Sequence, residues 1–240
     1  MILEVPVFDI QSAIIAQEAG AHRIELCSSM PEGGITPSHG MIKWAKENLK
    51  IPFFVMIRPR GGNFVYSKAE IEIMENDIHF CQQTGVEGVV FGALTEDGKI
   101  NIPQNLQLLK AVGSMQTTFH RAIDRSSNPF QALEDIINCG FDRILSSGLK
   151  NTAPEGAEML AQLIAKAGSQ IIIMPGSGVD DTNISALHQT VQATEYHSSA
   201  KIWVKINSHG PRMSETENDS GYWTVCPQKI KNILNWMDKG

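Results

Sequence analysis

The sequence predicts an α/β protein, a single-domain (β/α)8 barrel over residues 1–240, on three observations. Eight short apolar runs rich in Val and Ile each stop at a polar or Gly-rich turn, and an amphipathic stretch follows. Polar side chains stand at nearly every strand end. No G-x-G-x-x-G follows the first strand, so the doubly wound open sheet, which shows the same alternation, lacks its dinucleotide fingerprint. The 240 residues suit one barrel of this kind, which takes roughly 250. In such barrels the turns after the strands gather at one face, and strand-end residues are where chemistry is sought.

The first strand is read at Ile2–Val5, followed by a helix from Ile10 to Ala19 that Gly20 stops as a left-handed cap. The second strand, Arg23–Cys27, runs into the loop Ser28–Pro37, and Ser38 caps a helix to Asn48. The third strand is Phe53–Arg58. After the loop Pro59–Ser67 a long helix runs through Thr84 to Gly85, and Gly88–Phe91 is the fourth strand. A helix follows Pro103, and Gln116–His120 is the fifth strand. Asn128-Pro129 then opens a helix with a cap and a proline in the first turn. Arg143–Leu145 is the sixth strand and Glu155–Ala167 its helix. Ile171–Met174 is the seventh, followed by a short helix after Asp180, Asp181 and Thr182, and Glu195–His197 is the eighth. Lys201–Cys226 shows no periodicity and is expected to be an irregular functional loop or lid (residues 201–226), with a closing helix at 227–238.

Composition narrows the function. Hydrophobic residues make up 42% and charged residues 19%, which predicts an ordinary globular core rather than disorder. The formal charge is −6 and the basic residues are scattered, so no nucleic-acid partner is expected. The start runs straight into a strand pattern without a basic leader, and no stretch approaches the ~20 apolar residues of a membrane span. A cytoplasmic protein with no membrane partner is expected. Cys27, Cys81, Cys139 and Cys226 are widely spaced, with no C-x-x-C, so neither a zinc cluster nor a disulfide framework is signalled.

Residues two apart on a strand share a face. This groups Glu25 with Cys27, Phe54 and Met56 with Arg58, and Thr118 with His120, all facing the barrel interior. Ionisable groups there must be compensated. Glu4, Glu25 and Arg58, on three successive strands, are expected to form such a cluster, either as a ligand site or as an internal salt-bridge network. His120 with Asp124 four residues on has the composition of a general acid/base and its orienting carboxylate; the alternative is a hydrogen-bonded barrel histidine. Glu25 is a second candidate for proton transfer. After the seventh and eighth strands, Gly176-Ser177-Gly178 and His197-Ser198 are candidates for binding an anion through backbone N–H groups, with Ser147 adding a hydroxyl; the alternative is a plain glycine turn. Arg58 and Arg60 suit carboxylate or phosphate recognition. Gly61-Gly62 supplies a hinge that would bring Phe64 and Tyr66 over a ligand, unless that loop only packs on a neighbouring surface.

Taken together, Glu25-Leu26-Cys27, Glu32-Gly33-Gly34, Arg58-Pro59-Arg60-Gly61-Gly62, Thr118-Phe119-His120-Arg121-Ala122 with Asp124, Gly176-Ser177-Gly178-Val179 and His197-Ser198-Ser199-Ala200 resemble the CutC family, described as copper homeostasis proteins. The resemblance covers nearly all of residues 1–200. It implies a cytoplasmic TIM barrel, commonly a homo-oligomer, with a role in copper tolerance or Cu(I) binding. Cu(I) prefers thiolate and thioether ligands, which singles out Cys27, with Met56 and His120 or His197 beside it. Where family members often carry a Cys after the first strand, this chain has Pro6. Two function classes stand: copper handling with Cys27 as the main ligand, and an enzyme or sensor for a small anionic molecule, phosphorylated or not, held by Arg58 and the Gly176–Gly178 loop. A barrel kept as an interaction scaffold is a third.

Overall fold

A computed structural model describes residues 1–206 and 221–239. In chain order the elements are β1 (Ile2–Val7), α1 (Ile10–Glu18), β2 (Arg23–Leu26), α2 (His39–Asn48), β3 (Phe53–Met56), α3 (Lys68–Thr84), β4 (Gly88–Phe91) and α4 (Ile102–Val112). Then come β5 (Gln116–Phe119), α5 (Pro129–Cys139), β6 (Arg143–Ser146), α6 (Ala157–Ala167), β7 (Ile172–Pro175), α7 (Ile184–Val191) and β8 (Glu195–His197). The chain finishes with β9 (Lys201–Lys205), β10 (Gly221–Val225) and α8 (Pro227–Met237). Strands β1 to β8 form one parallel sheet in the order β7-β6-β5-β4-β3-β2-β1-β8, curled so that β1 pairs with both β2 and β8. This is the predicted (β/α)8 barrel.

The period-2 alternation of the strands sorts side chains into two layers. Leu3, Val5, Ile24, Leu26, Val55, Val89, Phe119, Ile144 and Tyr196 face outward into one apolar layer shared with the helices. A second, small apolar cluster of Cys27, Phe54, Met56 and Val90 lies separately, inside the barrel. The helices start where capping residues stand: Ser38 accepts the Met41 N–H, and Asn128 accepts those of Phe130 and Gln131. At α3 the Ser67 and Glu70 side chains each bond the other's backbone N–H, and Gly85 ends the helix in the left-handed region at φ 77°.

Residues 201–226 differ from the expected irregular loop. β9 and β10 pair antiparallel, Trp203 opposite Trp223 with ring centroids 5.2 Å apart, while residues 207–220 lie outside the described ones. The pairing escapes sequence reading because Ile202-Trp203-Val204 and Tyr222-Trp223 are consecutive rather than alternating apolar residues. The register partner also lies across a long intervening segment. The closing helix is present as α8.

Candidate functional site

Parallel register places Glu4 level with Arg23 on β2 and with His197 on β8, so three ionisable side chains meet in the barrel interior. Both Glu4 carboxylate oxygens are taken: Arg23 Nε donates to Oε2 at 2.5 Å and His197 Nδ1 donates to Oε1 at 2.8 Å. Arg23 also donates to Glu195, and Arg143 Nε reaches the same Glu195 oxygen at 3.1 Å. Phe54 lies beneath both guanidiniums, 4.7 Å from Arg23 Cζ and 5.0 Å from Arg143 Cζ. A column of paired charges therefore fills the barrel below its mouth. Burial pushes the Glu4 carboxyl up, but Arg23 and His197 outweigh it and hold the group at about 2.

Above this column the strand ends open into a cavity of about 200 Å³, walled by Glu25, Met56, Arg58, Phe64, His120 and His197 among others. Burial, reinforced by the Glu4 charge and opposed by His197, raises Glu25 to about 7. Its Oε2 lies 3.9 Å from His197 Nε2. His197 itself is raised despite burial, because the Glu4 hydrogen bond and the Glu25 charge favour its protonated form. On the opposite wall, burial and then the Arg58 charge lower His120 to about 3, so its ring is neutral. Its Nδ1 accepts the Ala122 N–H at 3.3 Å, which leaves the ring proton on Nε2. Phe64 packs on this imidazole, centroids 4.7 Å apart, and on the Arg58 guanidinium at 4.8 Å.

Arg58 is fixed by the backbone of two loops, its Nη1 donating to the Glu32 and Gly34 carbonyls and its Nη2 to that of Gly62. Among the described residues, Glu25 Oε1 and His120 Nε2 in the cavity wall and Thr118 Oγ1 beneath it are buried polar atoms without a hydrogen-bond partner. Arg58 Nε also lacks a well-aligned partner, with the Tyr66 hydroxyl lying against that guanidinium. Each such group costs about 1–3 kcal/mol if left unmade.

Other sequence candidates lie elsewhere. Glu4 is compensated by Arg23 and His197 rather than by Arg58, and it sits below the cavity. Asp124 does not orient His120: its oxygens accept from Ser146 Oγ, the Ser147 N–H and hydroxyl, the Leu149 N–H and Arg121 Nε. That carboxylate organises the turn after β6, and Ser147 is its partner, its single hydroxyl proton shared between Asp124 and the Lys150 carbonyl. Arg60 turns away to Glu70 and the Val65 carbonyl, bracing the loop before α3. Ser198 closes on the Val179 carbonyl. Gly176 lies against Leu145 and His197, where a Cβ would come within 2.4 Å of Leu145 Cδ1. Ser177 and Gly178 do line the cavity, both left-handed at φ 71° and 70°. Tyr66 is buried outside the cavity wall, so of the two aromatics expected over a ligand only Phe64 is in place.

Arg23, Arg143 and Glu195, which hold the column, were not among the sequence candidates because they stand at strand starts. The signal was present: Arg23 shares the inward face of Glu25, as Arg143 shares that of Leu145 and Glu195 that of His197.

A metal fits this donor set poorly. Glu4, Glu25 and His197 place ligand atoms within 4.8 Å of one another, but Arg23 and His197 occupy both Glu4 oxygens, and a cation there would face a guanidinium. Cys27 Sγ donates to Glu25 Oε2 at 3.4 Å, and burial together with the Glu25 charge pushes the thiol well above its usual range. A copper ligand must be the thiolate. Cys27 thus sits as a protonated thiol behind the wall, and a Cu(I) ion bound there would have to displace its proton from between sulfur and the Glu25 carboxylate.

Comparison with known proteins gives a consistent picture. The family model described as the CutC family matches residues 1–202. A Xanthomonas campestris pv. campestris protein named as a family protein CutC is 42% identical over 98% of each chain. The human copper homeostasis protein cutC homolog is 45% identical, covering 83% of this chain and 73% of its own. The crystal structure of the Streptococcus agalactiae protein described as CutC superposes with a TM-score of 0.79 at 33% identity, covering 83% of this chain and 98% of that one. No helix of the described residues is long and apolar enough to cross a membrane.

Proposed function

The chain belongs to the CutC family, whose relatives are named for copper homeostasis, and from that premise we propose that its barrel mouth binds a small anionic organic molecule. The observation that carries this reading is the pair of unpartnered buried atoms in the cavity wall, Glu25 Oε1 and His120 Nε2, beside the Arg58 guanidinium, with Thr118 beneath them. A guanidinium and a neutral N–H donor facing a carboxylate match a ligand that has an anionic or carbonyl end and a hydroxyl end. They have no use around Cu(I), which takes soft donors. The cavity, about 200 Å³, is below the roughly 300–1,000 Å³ of drug-sized pockets and suits a small metabolite.

A thermal-shift comparison tests this reading. Inorganic phosphate, small phosphorylated metabolites and short carboxylates are run beside Cu(I) held under reducing conditions with a thiol competitor. A ligand that binds the native state alone raises Tm. The expected result is a shift with one or more of the organic anions that is lost in Arg58→Gln and retained in Cys27→Ala. A shift with Cu(I) alone, abolished by Cys27→Ala, would overturn the reading and return Cys27 to the centre of a copper-handling site. Sedimentation velocity on the same samples reads the expected homo-oligomer.

A further inference from the structure

Resting on that reading of the mouth, we propose that the site is an enolising catalyst for a small α-hydroxy carbonyl compound, with Glu25 taking the carbon-bound proton and His120 donating to the carbonyl oxygen. The residue types present restrict the chemistry. Among the described residues no hydroxyl of the cavity wall is hydrogen-bonded to a general base: the Ser177 hydroxyl donates to the Asn151 carbonyl, Ser199 has no such partner, the Lys201 ammonium lies over the Trp223 ring, and Cys27 donates to Glu25 from behind the wall. Acyl transfer is therefore not served. What the wall offers is a carboxylate with a free oxygen, a neutral imidazole locked as an Nε2–H donor, and a guanidinium fixed by three carbonyls. A carboxylate base with a neutral histidine as electrophile is the set that proton abstraction next to a carbonyl requires.

The balance is simple. Glu25 accepts the proton on the carbon beside the carbonyl, the C–H electron pair becomes the new C=C bond, and the carbonyl π pair moves onto oxygen. That oxygen takes the His120 Nε2–H hydrogen bond, with the Arg58 charge beside it. Donors held in place before the charge develops lower the barrier most. Returning the proton to the same carbon regenerates the compound with a solvent-derived hydrogen. Returning it to the neighbouring carbon, with the hydroxyl proton passing between the two oxygens, gives the isomer. No oxidant or second substrate is needed. His197, donating to Glu4 through Nδ1 and facing Glu25 through Nε2, is a positioning residue for the base.

The test is proton exchange in D2O, followed by NMR, for hydroxyacetone, dihydroxyacetone, dihydroxyacetone phosphate and pyruvate, with the thermal shift of each measured on the same protein. The expected result is protein-dependent loss of the α-proton signal in a compound that also raises Tm. Glu25→Gln is expected to slow the exchange at least 100-fold while the shift persists. Glu25→Asp, which keeps a carboxylate, serves where Gln disturbs the fold and is expected to retain part of the rate. His120→Gln, which preserves an N–H donor, is expected to exceed His120→Phe by at least tenfold. A compound that stabilises the protein but exchanges no faster than in buffer overturns the activity and leaves the binding site standing. Stabilisation by none of them overturns both. Wild-type exchange rates in Glu25→Gln overturn the role of that carboxylate.

Discussion

Glu4 and Glu25 are buried in one barrel, on neighbouring strands, yet their environments push them in opposite directions. Glu4 falls to about 2 because Arg23 and His197 occupy its oxygens, whereas Glu25 rises to about 7 because burial and the Glu4 charge outweigh His197. The signs of their linkage to stability differ accordingly. A carboxyl lowered on folding contributes stability that is present above its unfolded value of 4.5 and lost as pH falls through about 2. A carboxyl raised on folding contributes stability that is present below 4.5 and lost as pH rises through about 7. Glu4→Gln should therefore destabilise the protein at neutral pH, by roughly 3–5 kcal/mol, because it leaves the Arg23 charge short of a partner. Glu25→Gln should gain on the wild type between pH 4.5 and 7. Urea denaturation across pH reads both, and parallel curves for wild type and Glu25→Gln would refute the second. At this scale the sequence showed which residues face inward but not how they pair. His120 and Asp124 are four residues apart in sequence, but Asp124 is claimed by the hydroxyls and N–H groups of the turn after β6. Spacing cannot show that a nearer set of donors wins.

At the scale of the element, helix starts were legible because a cap is a local interaction written in a few adjacent residues. Ser67 and Glu70 illustrate what that locality does for the site. Glu70 accepts the Ser67 N–H through one oxygen and Arg60 Nε through the other, so the first turn of α3 holds the end of the loop that carries Phe64. Ser67→Ala should cost about 1 kcal/mol of stability. It should also weaken any ligand shift at the mouth, because the Gly62 carbonyl that fixes Arg58 lies in the same loop. A Tm loss with the ligand shift unchanged would show the loop to be held independently of its cap. β9 and β10 mark the opposite limit. Their pairing is long-range and their apolar and polar residues do not alternate, so neither propensity nor period reports it.

Over the whole molecule the barrel is held unevenly. Ladders join every neighbouring pair from β7 round to β8 through β1, but among the described residues no ladder joins β7 to β8, although the two strands lie side by side. Gly176 at the end of β7 permits this approach, since a Cβ there would lie 3.1 Å from His197 Cβ. The seam coincides with the cavity: Ser177 and Gly178 wall it from the β7 side, His197 and Ser199 from the β8 side. Local opening starts where few hydrogen bonds must break. Backbone amides around β7 and β8 should therefore exchange with solvent faster than those of β3 and β4, which are laddered on both edges. A molecule bound at the mouth touches both sides of the seam and adds the interactions that no ladder supplies. It should raise protection at β7 and β8 more than elsewhere, and the binding site and the weakest joint of the barrel would then be one place. Hydrogen exchange with mass spectrometry, with and without an anion that raises Tm, decides this. Uniform protection around the barrel, or a ligand effect spread evenly over all eight strands, would separate the two.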